Sequence, residues 1–199
     1  MKKIFLILIL TLLKANYYLN NKAIEYYNNK DYKNAIKYFK ESYIKNKNII
    51  DLYNLANSYY KNEEYEKAIY FYKKFSNANK DITLKSKAYY NIGNSYYRNY
   101  QKNNKNTYIE KSLEYYYKSL DFDKNNIRAI ENINFIKNLL NKRINNNKDF
   151  KKNNQRENNI DNKQIEKDIN ELKELEKYYF KYLNRINRNT TNNSNKKDW

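Results

Sequence analysis

The chain is predicted to be all-α, a solenoid of helical hairpins, and three observations predict it. Small residues recur at a fixed interval: Ala23 precedes Ala56 by 33 positions, and Ala35 precedes Ala68 by the same 33. A large ring follows each member of the first series by three positions, at Tyr26, Tyr59 and Tyr96, with Gly93 as the small residue of the last set. The phrase Asn54-Leu55-Ala56-Asn57-Ser58-Tyr59-Tyr60, followed by Tyr65-Glu66-Lys67-Ala68-Ile69, holds small and apolar residues at helical rather than alternating spacing. Small residues let the two helices of a hairpin touch, and the rings fill the space between hairpins. One helix pair cannot bury its apolar face alone, so the units must stack.

The elements follow in order. Lys2 and Lys3 precede ten consecutive largely apolar residues, 4–13. A basic segment ahead of a short apolar one is the pattern of a secretory signal peptide, so 1–15 is expected to be removed after Ala15, although Leu13 is larger than such a site prefers. A membrane span takes about 20 apolar residues, and Lys14 stops the run short of that. The competing reading is a buried start to the first helix of the array. The signal reading sends the protein to a periplasm or cell envelope, and the absence of cysteine is compatible with an oxidising compartment.

Residues 16–143 are read as the array with its capping helix. In the third unit Gly93 and Ser112 stand 19 positions apart where Ala56 and Ala68 stand 12 apart, so seven extra residues around 101–107 are expected to form a solvated loop. The step from Ala56 to Gly93 is 37 positions, which predicts a longer second helix or a looser junction between units two and three. Ala129, Ile130, Ile133, Ile136 and Leu140 mark an amphipathic helix over 127–143 that lacks a second helix and is read as the cap. Residues 144–162 are rich in Asn and Lys and read as a polar linker. Ile165, Ile169, Leu172, Leu175, Tyr179, Leu183 and Ile186 predict a further amphipathic helix over 163–188. A flexible tail, 189–199, ends in Lys197-Asp198-Trp199, whose indole is a candidate anchor for a partner's pocket.

The period and the small, aromatic, small pattern resemble the tetratricopeptide repeat (TPR), about three copies of it over 16–140. A narrower resemblance lies in the whole arrangement. A signal segment, a short array, a cap running into Asn138-Leu139-Leu140, a polar linker, the helix Leu172-Lys173-Glu174-Leu175-Glu176-Lys177 and a terminal Lys-Asp-Trp are similar to the BatC-like TPR proteins of bacterial aerotolerance (Bat) operons. That resemblance implies an exported, non-enzymatic binding subunit of an envelope complex working with MoxR-type ATPases and von Willebrand factor A (VWA) domain membrane proteins. A general TPR adaptor serving another envelope assembly is the alternative.

Composition narrows the chemistry. With no His and no Cys, imidazole base catalysis, thiolate nucleophiles and nitrogen or sulfur metal sites are excluded, and a single Gly excludes a glycine-rich phosphate loop. Neither a cofactor nor an enzymatic activity is expected. The net charge of +18 invites a nucleic-acid reading, but the lysines are spread through every segment among Asn, Tyr and Ile, and no nucleic-acid-binding motif is present. Attraction to an anionic membrane surface fits the charge better.

The TPR resemblance also implies where a peptide lies. Positions three before and one, four and five after the small residue line the concave groove: Tyr53, Asn57, Tyr60 and Lys61 in unit two, and Tyr90, Asn94, Tyr97 and Arg98 in unit three. Amides there can pair with an extended backbone and the two cations with carboxylates, so an acidic or C-terminal peptide is the expected ligand. In unit one the same positions hold Asn20, Ile24, Tyr27 and Asn28, without a cation.

Overall fold

The computed structural model describes residues 2–153 together with Asn170, Lys173, Glu174 and Lys177. Every regular element among them is helical: α1 (Lys2–Asn28), α2 (Tyr32–Asn46), α3 (Ile49–Lys61), α4 (Tyr65–Ala78), α5 (Ile82–Asn103), α6 (Asn106–Phe122) and α7 (Ile127–Asn153). Within the first hairpins connections of two or three residues force neighbours to run antiparallel, and each helix from α1 to α5 packs on the next. The chain divides into two compact units, Met1–Ala129 and Ile130–Trp199.

In the first unit the repeat chemistry acts as its spacing requires. Ala23, Ala35, Ala56, Ala68, Gly93 and Ser112 are all fully or almost fully buried where paired helices meet. Each hairpin stacks the ring of its first helix on a ring of its second: Tyr26 on Tyr38 at 5.2 Å, Tyr59 on Phe71 at 5.3 Å and Tyr96 on Tyr115 at 5.5 Å. Such pairs add about 0.5–1.5 kcal/mol each beyond their burial. Tyr59 and Tyr96 also join Phe39, Leu55, Ile69, Tyr72 and Ile92 in one core that runs through all three hairpins.

Caps and turns repeat as well. Asp31, Asn48 and Asp81 accept backbone N–H bonds from Asn34, Ile50 and Thr83, each satisfying an orphan donor at the start of α2, α3 and α5. The turns of the first two hairpins pass through Lys30 and Glu63, both left-handed at φ 62° and 61°, 33 positions apart. At the junction of the first two hairpins Asp51 is buried, accepting from Asn20 Nδ2 and Ser42 Oγ at 2.7 Å each.

Two expectations are corrected. The extra residues of the third hairpin do not form a loop: α5 continues to Asn103, α6 begins at Asn106, and only Asn104 and Lys105 connect them. Gln101, Lys102 and Asn103 are solvent-exposed, as their polarity requires, but exposed residues fold as helix when the partner helix also lengthens. The longer step between units two and three lies neither in α4 nor in the junction. It lies in the first turn of α5, which opens eleven residues before Gly93, where α3 opens seven before Ala56.

The segment 1–15 is helical from Lys2 and continuous with the rest of α1. Among the described residues no helix is long and apolar enough to cross a membrane.

In the second unit α7 buries Ile133, Ile136 and Leu140, whereas Ile130 is exposed. Helix continues to Asn153, ten residues into the stretch read as linker. The rest of that linker, most of the helix expected over 163–188, and the tail with Trp199 lie outside the described residues. Within the expected helix, exposed Lys177 pairs with Glu174 at 2.6 Å.

Candidate peptide-binding strip

Tyr53, Asn57, Tyr60 and Lys61 lie at positions i, i+4, i+7 and i+8 of α3, and so share one face. The opposite face carries the buried Leu52, Leu55, Ala56 and Tyr59. Burial of one face leaves Tyr53, Asn57 and Tyr60 half-exposed and Lys61 exposed. The same frame on α5 leaves Tyr90, Asn94 and Tyr97 half-exposed and Arg98 exposed.

Side chains join the two faces into one strip. Asn91 Nδ2 donates to the Tyr53 hydroxyl at 3.0 Å, and Arg98 Nε donates to the Tyr60 hydroxyl at 3.4 Å. The extension of α5 adds to this contact: Lys102 pairs with Glu63 at 2.9 Å and Asn99 Nδ2 donates to Glu66 at 2.8 Å. These bonds hold units two and three in register at the strip.

The second helices support the strip from behind. The Tyr72 hydroxyl donates to Asn57 Oδ1 at 2.5 Å, and the Tyr116 hydroxyl donates to Asn94 Oδ1 at 2.7 Å. Tyr72 and Tyr116 are almost fully buried, so their hydroxyls are fixed points. Burial, ahead of the neighbouring Tyr53 and Tyr27, pushes Tyr72 well above the ordinary phenol value, and it remains a proton donor throughout the neutral range. Rings also brace the strip, with Tyr53 against Tyr72 at 5.6 Å and Phe75 at 5.0 Å, Tyr60 against Tyr65 at 5.4 Å, Tyr90 against Tyr116 at 5.7 Å and Tyr97 against Tyr100 at 6.1 Å.

All eight expected residues therefore come together, but their roles differ. Lys61 makes no ion pair among the described residues. Arg98 is more committed, because its Nη1 donates to Gln101 at 2.9 Å and its Nε to Tyr60. The Tyr60 bond is the main reason the guanidinium is held above its ordinary value. In unit one Asn20 is turned to the buried Asp51 and leaves the strip.

Sequence reasoning overlooked Tyr72 and Tyr116. The signal was present in the frame, since Tyr72 stands 33 positions after Phe39 as Asn57 stands 33 after Ile24. Hydroxyl and amide change together from unit one to unit two.

Among the described residues no cluster of acidic or metal-ligating side chains is arranged to hold a metal ion. What the strip can do is donate hydrogen bonds, offer ring faces and attract anions.

This architecture is that of solved TPR domains. The chain is similar to the N-terminal domain of stress-induced protein-1 (STI-1) from C. elegans, with 15% identity and a TM-score of 0.54 over 63% of this chain and 96% of that one. The TPR2AB domain of yeast Sti1, solved in a pHSP90 complex, matches with 20% identity and a TM-score of 0.56 over 70% of this chain and 57% of that one. The first TPR of Spaghetti (RPAP3), bound to the HSP90 peptide SRMEEVD, matches with 19% identity and a TM-score of 0.52 over 63% and 92%. At such identities the likeness is one of fold, and the fold is the TPR. No family model matches the sequence, and no curated protein does.

Proposed function

We propose that the chain is a non-enzymatic protein-interaction scaffold that binds an extended acidic peptide along the groove formed by the first helices of its hairpins. The observation that carries this reading is the strip itself. Two successive first helices present the same tyrosine, asparagine, tyrosine and cation, tied in register by Asn91 to Tyr53 and Arg98 to Tyr60. Ring faces and amides at one-repeat spacing suit an extended chain, and Lys61 and Arg98 suit carboxylates. The RPAP3 domain with the same fold was solved with a peptide carrying two glutamates and a terminal aspartate. The net charge of +18 favours acidic partners generally.

At the finer level, the Bat resemblance makes the chain a subunit of an aerotolerance complex of the cell envelope, acting with a MoxR-type ATPase and VWA-domain membrane proteins. A general TPR adaptor of another envelope assembly is the competing assignment. Export through 1–15 belongs to either. Purification of a tagged chain from its native cell, followed by identification of the bound proteins, separates them: recovery of VWA-domain proteins is expected, and their absence beside other envelope proteins favours the general adaptor. A fusion of residues 1–20 to a periplasm-dependent reporter is expected to be active, and activity confined to the cytoplasm removes the envelope assignment.

A further inference from the structure

The second helices of units one and two carry a face that the peptide strip does not use. On α2 Lys33, Lys37, Lys40 and Ile44, with Lys47 at its C-cap, follow at steps of three and four, all exposed and opposite the buried Ala35, Phe39 and Ser42. On α4 exposed Tyr70 and Lys74 stand opposite the buried Ala68, Ile69 and Tyr72. The Tyr72 hydroxyl turns to Asn57 of the strip, so Tyr70 and Lys74 lie on the other side of α4. The two helices meet at Tyr43. Its half-exposed ring carries Lys47 Nζ at 5.6 Å and, from the next unit, Lys74 Nζ at 5.7 Å. Lys74 also lies 5.9 Å from the Tyr70 ring, and Lys37 lies 5.7 Å from the Tyr38 ring.

A ring holds an ammonium through its quadrupole and leaves the charge in place, where a carboxylate would cancel it. Among the described residues none of Lys33, Lys37, Lys40, Lys47 and Lys74 enters an ion pair. The acidic residues of α2 and α4 are Glu41 and Glu66 alone, and Lys45 takes the first and Asn99 the second. Two ammonium groups on one ring repel each other, and the face holds no anion of its own to relieve them. The outer helix of unit three differs, since α6 sets Glu110, Glu114 and Asp121 against Lys111 and Lys118. Lysines that are spread along the sequence are therefore gathered by the fold over units one and two. Ile44, 55% exposed, and Tyr70, 58% exposed, lie among them.

We propose that this face docks the chain on the surface of a bilayer containing anionic phospholipid. Lys37, Lys40, Lys47 and Lys74 meet the headgroup phosphates, and Ile44 and Tyr70 settle at the boundary of headgroups and acyl chains, where a ring with a polar tip is at home. The α2 stripe alone runs about 21 Å at the rise of a helix, on the outward side of two neighbouring helices, and a sheet of negative charge meets all of it at once. Docking of this kind needs no spanning helix, and among the described residues none is long and apolar enough to span. The strip on α3 and α5 stays open to a peptide at the same time, so the proposal stands independently of the peptide-binding reading.

The test is flotation of the full chain with vesicles of phosphatidylcholine alone and with about one third phosphatidylglycerol. The wild-type chain is expected to bind the anionic vesicles at least about tenfold more tightly, and to be released as salt rises. Lys37→Glu with Lys40→Glu and Lys74→Glu is expected to lose at least about tenfold of that binding. Lys87→Glu with Lys105→Glu and Lys124→Glu makes the same charge change at exposed lysines outside the face, and is expected to keep most of it. Contact through the apolar residues 4–13 would not separate these two variants. Ile44→Ser with Tyr70→Ser leaves every charge in place and is expected to weaken binding about threefold. Lys61→Glu, on the peptide strip, is expected to leave vesicle binding unchanged. Equal loss in the two triple variants overturns the face in favour of net charge, and equal binding to both vesicles overturns the anionic requirement. No loss with Ile44→Ser and Tyr70→Ser overturns the apolar contact. If soluble poly-glutamate binds the wild-type chain as tightly as the anionic vesicles do, and loses that binding in the first triple variant, the occupant is an acidic protein and the membrane is overturned. Where the first triple variant loses its helical circular dichroism, Lys40→Gln with Lys74→Gln, which only removes charge, decides.

Discussion

Asp51 is buried among an amide and a hydroxyl, and among the described residues it is the one buried charged side chain. Burial pushes its carboxyl above the ordinary value, and the bonds from Ser42 and Asn20 offset only part of that. A carboxyl with a raised folded-state pKa contributes stability that is present below about pH 4 and lost as pH rises through the raised value. Asp51→Asn keeps the bond accepted from Asn20, reverses the other so that its amide donates to the Ser42 hydroxyl, and carries no charge. It is expected to flatten the pH dependence of urea unfolding above about pH 4 and to be at least as stable as wild type at pH 7. Asp31, Glu63 and Glu64 are shifted the other way, by Asn34, Lys102 and Lys67 first, so their contributions are lost as pH falls below the ordinary carboxylate range. The two windows do not overlap. Gly93 gives a second residue-scale test, because a Cβ there would lie 2.6 Å from Cδ1 and Cε1 of Tyr116, a buried ring whose hydroxyl is held by Asn94. Gly93→Ala is expected to lower stability by about 1–3 kcal/mol, overpacking outweighing alanine's helix propensity. The small-residue frame was legible in the sequence because close helix contact tolerates few residue types. The direction of the Asn57 amide was not, since it depends on a hydroxyl from another helix.

At the scale of the element, the hairpin turns and the helix contacts offer separate tests. Lys30 holds a left-handed conformation that costs a residue with a Cβ about 1 kcal/mol or more. Lys30→Gly removes that strain and is expected to raise the unfolding midpoint, by about 0.5–1 kcal/mol in stability. Ala68 is fully buried where α3 and α4 meet. Ala68→Trp is expected to cost on the order of 3 kcal/mol or more in denaturant unfolding, and unchanged stability contradicts the register. Helix existence was readable from the 33-residue frame, as was the burial of Ala129, Ile133, Ile136 and Leu140. The third hairpin was misread because polar residues 101–107 carry no apolar period. Only the packing of the lengthened α5 and α6 on each other makes helix of them, and Asn99 to Glu66 and Lys102 to Glu63 tie the α5 extension to unit two.

For the whole molecule, the account rests on a strip assembled from two units that neither makes alone. Its eight residues were legible through the TPR resemblance, since the groove positions follow from the frame once the small residues are placed. The unequal state of the two cations was not legible, because Gln101, which engages Arg98, belongs to the misread extension. In the proposed binding mode Lys61 is therefore the cation on which acidic recognition is expected chiefly to depend. The most direct test is a fluorescence-polarisation titration of the full chain with a labelled acidic heptapeptide bearing a free C-terminus, for wild type and Lys61→Glu, with folding checked by circular dichroism. The account predicts saturable, salt-sensitive binding that Lys61→Glu weakens at least tenfold, about 1.4 kcal/mol. Equal binding by a folded Lys61→Glu chain, or wild-type binding no tighter for the acidic peptide than for its amidated glutamine counterpart, would contradict it.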